Sequence, residues 1–294
     1  MSDERPQRPS DRGGPRRQPK PSQVRRPAAR PPEPASPRAA AQRVLHQVLD
    51  RRRPLEEAIA EEPAWAKIHG RDRAFARLLV TTVLRRLGQI DDAIARFVQR
   101  LPEGRDAYIQ QVLRLAVAQL LFLDTPPHAA VDQATGMTRG PGMKSMVNAV
   151  LRRLTEARAT LFREQDADRL NLPDWLWRSW CEAYGEEATR AIVRAQMQDP
   201  PLDITVRAGQ NPTVWAERLQ GRVLPTGTIR LAKTMHVPSL FGYGQGAWWV
   251  QDLAAGLPAR LLGEGQGASV LDLCAAPGGK TLQLAAQGWN VTAL

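Results

Sequence analysis

The chain has almost no cysteine. Cys181 and Cys274 are the only two in 294 residues, too few for a disulfide framework or a paired-cysteine zinc site. A reducing compartment, the cytoplasm, is therefore expected. Long apolar runs are missing as well: the longest candidate, Val112 to Leu123, holds Arg114 and Gln119 and falls short of the ~18 residues of a membrane span. The first residues carry arginine and proline without an apolar core, so no secretory leader is expected there. His128 has no second histidine or cysteine nearby, which argues against a metal. In a loop after two prolines, it is read as a packing or helix-start capping residue.

Positive charge is abundant. The net charge is +11 and the isoelectric point about 10.6, which points to a polyanionic partner, nucleic acid first and an anionic membrane surface second. The length suits about two domains, and 43% hydrophobic residues can fill sizeable cores. Residues 1–38 hold ten prolines and ten Lys/Arg against four acids. Such a segment buries too little apolar surface to offset ordering, so a disordered tail is expected. Its arginines are read as solvated, with RNA contact the alternative.

From Ala39 the pattern turns helical. Val44, Leu45, Val48 and Leu49 form one apolar face, and Leu55 with Ile59 opens a second helix after Pro54. Phe75, Leu78, Leu79, Val83, Leu87 and Ile90 read as one further helix with Asp72 near its start. Ile109, Val112, Leu113, Ala116, Leu120 and Leu121 predict another that stops before Pro126-Pro127. Met143 to Leu154 closes an all-α bundle. Arg152 and Arg153, near the end of that helix, suit either its dipole or RNA.

Residues 161–240 read as a small mixed unit. Trp175, Trp177 and Trp180 lie in a helix begun by Asp174 and are expected chiefly to pack in a core or interface, with base stacking the alternative. Cys181 in the same helix reads as a buried small residue. Leu202–Val206 and Val223–Leu231 read as strands around a helix at 213–219. In Gly246-Ala247-Trp248-Trp249-Val250-Gln251-Asp252, Asp252 is placed to cap the helix that follows.

The most informative stretch is Ser269-Val270-Leu271-Asp272-Leu273-Cys274-Ala275-Ala276-Pro277-Gly278-Gly279-Lys280-Thr281. It reads as a buried parallel strand, a tight glycine loop and a helix start, a junction that binds ligands in open α/β sheets. A P-loop would need glycine where Cys274 stands, and no register supplies G-x-G-x-x-G. The run Asp272 to Thr281 closely resembles the first cofactor motif of the S-adenosylmethionine-dependent RNA cytosine-C5 methyltransferases, the family of the bacterial 16S ribosomal RNA methyltransferase B and the nucleolar Nop2 proteins. The stretches Val112 to Asp124, Pro127 to Ala134 and Val147 to Arg153 resemble the NusB domain, an RNA-binding bundle fused to the N-terminus of that family.

The resemblance implies a multidomain chain. A disordered tail (1–38) precedes an all-α NusB-like bundle (39–160), a linking α+β subdomain (161–240) and the truncated start of an α/β Rossmann-like methyltransferase domain (241–294). S-adenosylmethionine would be held by Cys274, Ala275, Ala276, Pro277, Gly278, Gly279 and Lys280, with Gln251-Asp252 heading a helix beside the site. Ribosomal RNA would be the partner, the protein a monomer without metal or membrane. The family's ribose-holding acid and its two catalytic cysteines are expected beyond Leu294, so this chain is expected to be an N-terminal piece, inactive alone, whose lone βαβ start cannot cover its own apolar faces. Two alternatives stay open: a NusB-like RNA-binding module without catalysis, and a methyltransferase acting on another substrate.

Overall fold

The structure, a computed structural model, describes residues 36–231 and 237–294. The expected disordered tail lies outside the described residues up to position 35, while Pro37 and Arg38 already belong to helix α1 (Pro37–Leu45). The chain divides into two compact units, one ending at Leu78 and one running from Leu79 to Leu294. Each is taken by itself.

In the first unit, α1 continues through a wider helical turn at His46–Asp50 and is followed by α2 (Leu55–Glu61) and α3 (Pro63–Ala66). Val44 and Leu45 are buried as their spacing predicts. Glu62 is 5% exposed. It accepts the Ala64 N–H at 2.9 Å to cap α3 and is also reached by Gln47 and Arg43, so its buried charge has partners. Helix α4 (Gly70–Arg85) begins in this unit and ends in the next.

The second unit carries α5 (Leu87–Ala95), α6 (Tyr108–Phe122), α7 (Pro127–Gly136) and α8 (Pro141–Glu156). All six predicted apolar positions of α6 are buried, and so are Gln111, Arg114 and Gln119. A helix enclosed on nearly every side must satisfy its polar groups internally. Arg114 does so with a two-pronged pair to Asp91, both contacts at 2.7 Å.

Three readings of this region are corrected. The run expected as a single helix through Ile90 is broken at Arg86 (φ −113°, ψ 20°), because α5 turns to run against α10 (Ala167–Leu170). Gly88 faces the Leu170 carbonyl so closely that a Cβ there would collide with it. The Gln89 N–H donates to Asn171 Oδ1 at 3.2 Å, and Asn171 Nδ2 returns a bond to Gln89 Oε1 at 2.8 Å. His128 is not in a loop: it sits in the first turn of α7, exposed, neither packed nor capping. The tryptophan helix, α11 (Asp174–Tyr184), buries none of its residues. It packs beside α12 (Glu186–Gln196), leaving Trp175 70% exposed and Cys181 only half-buried. The guanidiniums of Arg169 and Arg190 lie over the Trp177 ring, 5.2 and 5.1 Å from its centre. Arginine stacking there takes the place of the expected core packing. Between α8 and α10 lies α9 (Arg158–Glu164).

Beyond α12 the chain forms an antiparallel sheet of order β2-β3-β1-β4. Its elements are β1 (Leu202–Val206), α13 (Pro212–Leu219), β2 (Gly221–Val223), β3 (Ile229–Leu231) and β4 (Trp248–Val250). Ile204, Trp215, Leu219, Ile229, Leu231 and Trp248 form its core. The predicted strand Val223–Leu231 is a hairpin instead. Pro225 and Gly227 (φ +80°) make the turn, which the Leu224 N–H closes onto the Thr228 carbonyl at 2.8 Å. Because β4 pairs with β1, the sheet extends past the boundary expected at 240.

The chain continues with α14 (Leu253–Arg260), β5 (Ser269–Asp272), α15 (Gly279–Ala286) and β6 (Asn290–Ala293). Strands β5 and β6 pair in parallel, Val270 opposite Val291. The expectation of a buried strand is corrected: Leu271 is 53% and Leu273 67% exposed, since two strands and one crossover helix leave apolar surface open among the described residues.

Gly88→Ala is expected to destabilise the protein by about 1–3 kcal/mol through overpacking against the α10 backbone. Gly142→Ala, in α8 with nothing within 4 Å of the added carbon, is expected to be neutral or to stabilise by up to ~1 kcal/mol. Urea unfolding monitored by circular dichroism separates the two, and equal effects would contradict the close approach.

Candidate functional site

The loop after β5 is shaped by its own first residue. Asp272 accepts the Thr281 hydroxyl at 2.7 Å and the Cys274 N–H at 3.3 Å, tying the strand end to the first turn of α15. Gly278, at φ +103°, turns the chain into the helix, a conformation that strains any side chain. The Leu282 N–H bonds to the Gly278 carbonyl. The N–H groups of Gly279, Lys280 and Thr281 at the helix start have no backbone acceptor among the described residues. Free donors and a helix dipole there favour an anion or polar group.

Opposite the loop stand β4 and α14. A cavity of about 200 Å³ lies between Val250, Gln251, Asp252 and Ala255 on one side and Cys274, Ala275, Ala276, Pro277, Gly279 and Lys280 on the other. The structure thus brings six of the seven predicted site residues to one cavity; Gly278 sets the turn without lining it. Asp252 caps α14 as predicted, its Oδ1 accepting the Ala254 and Ala255 N–H groups at 2.8 and 3.3 Å. Its Oδ2 has no hydrogen bond among the described residues. Cationic Lys280 with helix N–H donors, and the Asp252 carboxylate, complement the two ends of an α-amino-acid zwitterion. The volume is below the ~300–1,000 Å³ of a pocket enclosing a whole small ligand, so these residues match one end of such a molecule.

Gln251 was placed beside the site by the sequence, but three residues that hold it there, Gln283, Asp203 and Arg230, escaped the sequence reading. Gln251, 5% exposed, donates to Gln283 Oε1 at 2.6 Å, and Gln283 Nε2 donates to the Gly256 carbonyl at 2.9 Å. This amide chain joins α14 to α15. Behind it, Asp203 of β1 is 2% exposed and faces its cross-strand neighbour Arg230 with contacts of 2.7 and 2.8 Å. It also accepts the Leu253 N–H at 3.2 Å, and its carbonyl accepts the Gln251 N–H at 3.0 Å. The Arg230 hydrogen bond, more than the Leu253 N–H or the charge itself, holds the Asp203 carboxyl below the usual carboxylate range against the opposing effect of burial. An aspartate between the core-facing Leu202 and Ile204, with an arginine across from it on the neighbouring strand, was the available signal. Gln283 carried none.

Neither cysteine is placed as a nucleophile beside this cavity with an activating base. Cys181 belongs to α11, and Cys274 is exposed in the loop with its N–H committed to Asp272. No group of three His, Cys, Asp or Glu suited to a metal occurs among the described residues, and no helix among them is long and apolar enough to cross a membrane.

Comparison with known proteins gives three findings. A family model described as the NusB family matches residues 35–156. The ribosomal RNA small subunit methyltransferase B of Klebsiella pneumoniae is 31% identical over 261 residues, covering 84% of this chain and 60% of that protein; its counterpart in Xylella fastidiosa is 36% identical, covering 85% and 59%. The chain therefore spans about 60% of the length of these curated relatives. Among solved structures, the crystal structure of PH0851 shares the fold with a TM-score of 0.56 at 19% identity, over 87% of this chain and 63% of that one.

Asp203→Asn is expected to cost about 2–3 kcal/mol at neutral pH, by weakening a buried charge-assisted pair and leaving Arg230 without its counter-charge. A depressed folded pKa stabilises the native state above the unfolded value near ~3.9, and that stabilisation is lost as pH falls through the folded value. The stability gap between wild type and variant should thus close as pH drops below ~4. A gap that stays constant from pH 7 to pH 3 would contradict the assignment.

Proposed function

The chain belongs to the RNA methyltransferase family of the bacterial 16S ribosomal RNA methyltransferase B and Nop2 proteins, and on that premise we propose that it serves S-adenosylmethionine-dependent methylation of ribosomal RNA at cytosine C5. The observation that carries the proposal is the cavity between the Cys274–Lys280 loop and the Gln251-Asp252 corner. Lys280 and the α15 N–H groups would take the carboxylate of the methionine end, and Asp252 its ammonium, while Gly278 and Gly279 let the backbone come close. When bound, this cofactor supplies an electrophilic methyl group on a sulfonium.

The proposed division of labour follows the chain. Residues 39–160 would form the RNA-binding part, 161–250 the linking part with β4 in its sheet, and the segment from α14 onward the cofactor-binding part, with 1–38 adding charge. Cytosine-C5 transfer in this family is expected to use a cysteine thiolate that adds to C6. Neither Cys181 nor Cys274 is assigned that role. This placement also favours a second reading, RNA binding without catalysis by the polypeptide 1–294.

Equilibrium dialysis of residues 1–294 with labelled S-adenosylmethionine tests the cofactor assignment. Lys280→Ala is expected to weaken binding by about tenfold. Asp252→Asn, which preserves the helix cap, should do the same. Unchanged binding in both would remove the assignment. With under-methylated 30S subunits, residues 1–294 are expected to leave the RNA unlabelled, and label at cytosine C5 at enzymatic rates would return Cys274 to consideration as nucleophile.

A further inference from the structure

A solvent-open recess of the helical region plays no part in the site above. It lies between α7 and α8, which run antiparallel after a short connection, and encloses about 450 Å³. Pro127, Val131, Thr135 and Thr155 contribute its apolar lining. The two threonines donate their hydroxyls to backbone carbonyls of their own helices, Thr135 to Asp132 at 2.9 Å and Thr155 to Leu151 at 2.8 Å. With those hydroxyls satisfied, their methyl groups can join Val131 in an apolar surface.

Polar groups stand around it. Asp132 and His128 come from α7; Asn148, Arg152 and Glu156 recur at every fourth residue of α8 and so share one face. No side chain among the described residues hydrogen-bonds or ion-pairs with Asp132, Asn148, Arg152 or Glu156, in a protein where most arginines near a carboxylate are paired. An apolar floor with a few convergent polar groups is the build of a small-ligand site.

The mixture of groups selects the ligand. A carboxylate pair disfavours an acidic peptide, and Arg152 disfavours a basic one. An uncharged planar ring whose edge carries both donors and acceptors suits all of them: its amino and N–H groups toward Asp132, its paired edge toward the Asn148 amide, its face on the apolar floor. We propose that the α7–α8 groove receives one unstacked base of a single-stranded RNA segment, with Arg152 on the adjoining phosphate. A paired base buries that edge in its duplex, so single strands are selected over duplexes.

This inference rests on the reading that the chain acts on RNA. The test is fluorescence anisotropy of the full chain with labelled single-stranded dodecaribonucleotides of A, C or U, a dodecamer of alternating G and A, and a self-paired duplex. Wild type should favour single strands and discriminate about tenfold between the best and worst bases. Asn148→Ala and the isosteric Asp132→Asn should collapse that discrimination while keeping the wild-type thermal melt. Arg152→Ala should weaken all sequences alike and lower the slope of log affinity against log salt by about 0.7. Base-blind binding by wild type, or groove variants that bind as wild type does, would overturn the groove and leave the RNA reading standing. No RNA binding by wild type would overturn both.

Discussion

One buried carboxylate fixes the geometry of the cavity wall that faces the Cys274–Lys280 loop. Asp203 sits in the second position of β1, on the face opposite the core residues Leu202, Ile204 and Val206, and its burial is tolerable only because Arg230 and the Leu253 N–H take up its oxygens. Its main-chain carbonyl meanwhile receives the Gln251 N–H. A single residue of the antiparallel sheet thereby sets where α14 begins and where Gln251 lies. The wall of the cavity facing the Cys274–Lys280 loop is positioned by a sheet that contributes β4 alone to its lining.

Much of this was legible in the residues. The apolar spacing of α6, the cap at Asp252 and the strand-loop-helix of residues 269–286 are local patterns, and local patterns survive folding. What could not be read were the places where a distant backbone decides. Arg86 breaks a continuous helical pattern because Gly88 must meet Leu170, a partner more than eighty positions away. The proline and glycine at 225 and 227 were enough to announce a turn, and a longer apolar reading passed over them. The tryptophans of α11 illustrate the limit of hydrophobicity as a guide: Trp177 is covered by two charged side chains, a solution that composition does not distinguish from a core. The glycine loop after β5 was legible as a turn into a helix, whereas Gln283 reads as one more polar position of that helix, and the weight of Asp203 shows only once β1 and β3 are paired.

The helical region shows the complementary case. Its interior follows from periodicity, but the chemistry on its surface depends on which polar side chains remain without partners once folding is complete. In sequence Arg152 suited either the helix dipole or RNA, and Asn148 stood out only as part of a NusB-like stretch. Only the neighbouring helix, with Asp132 and two threonines whose hydroxyls turn back to their own backbone, gives them a common recess. A protein with so many arginines tends to engage them in ion pairs, so an arginine left free beside an open groove is more informative than the net charge.

The Gln251–Gln283 link has a bearing on working conditions. Both members are neutral amides, inside the protein and away from bulk ions. Their attraction is a matter of dipoles at close range, which counter-ions do not screen and protons do not switch. The RNA association proposed for the chain would rest on phosphate charge and so would weaken as salt rises. The helices flanking the Cys274–Lys280 loop should keep their mutual placement over the same range, so that ionic strength would govern the proposed RNA engagement without altering the shape of the cavity where the methyl donor is proposed to lie.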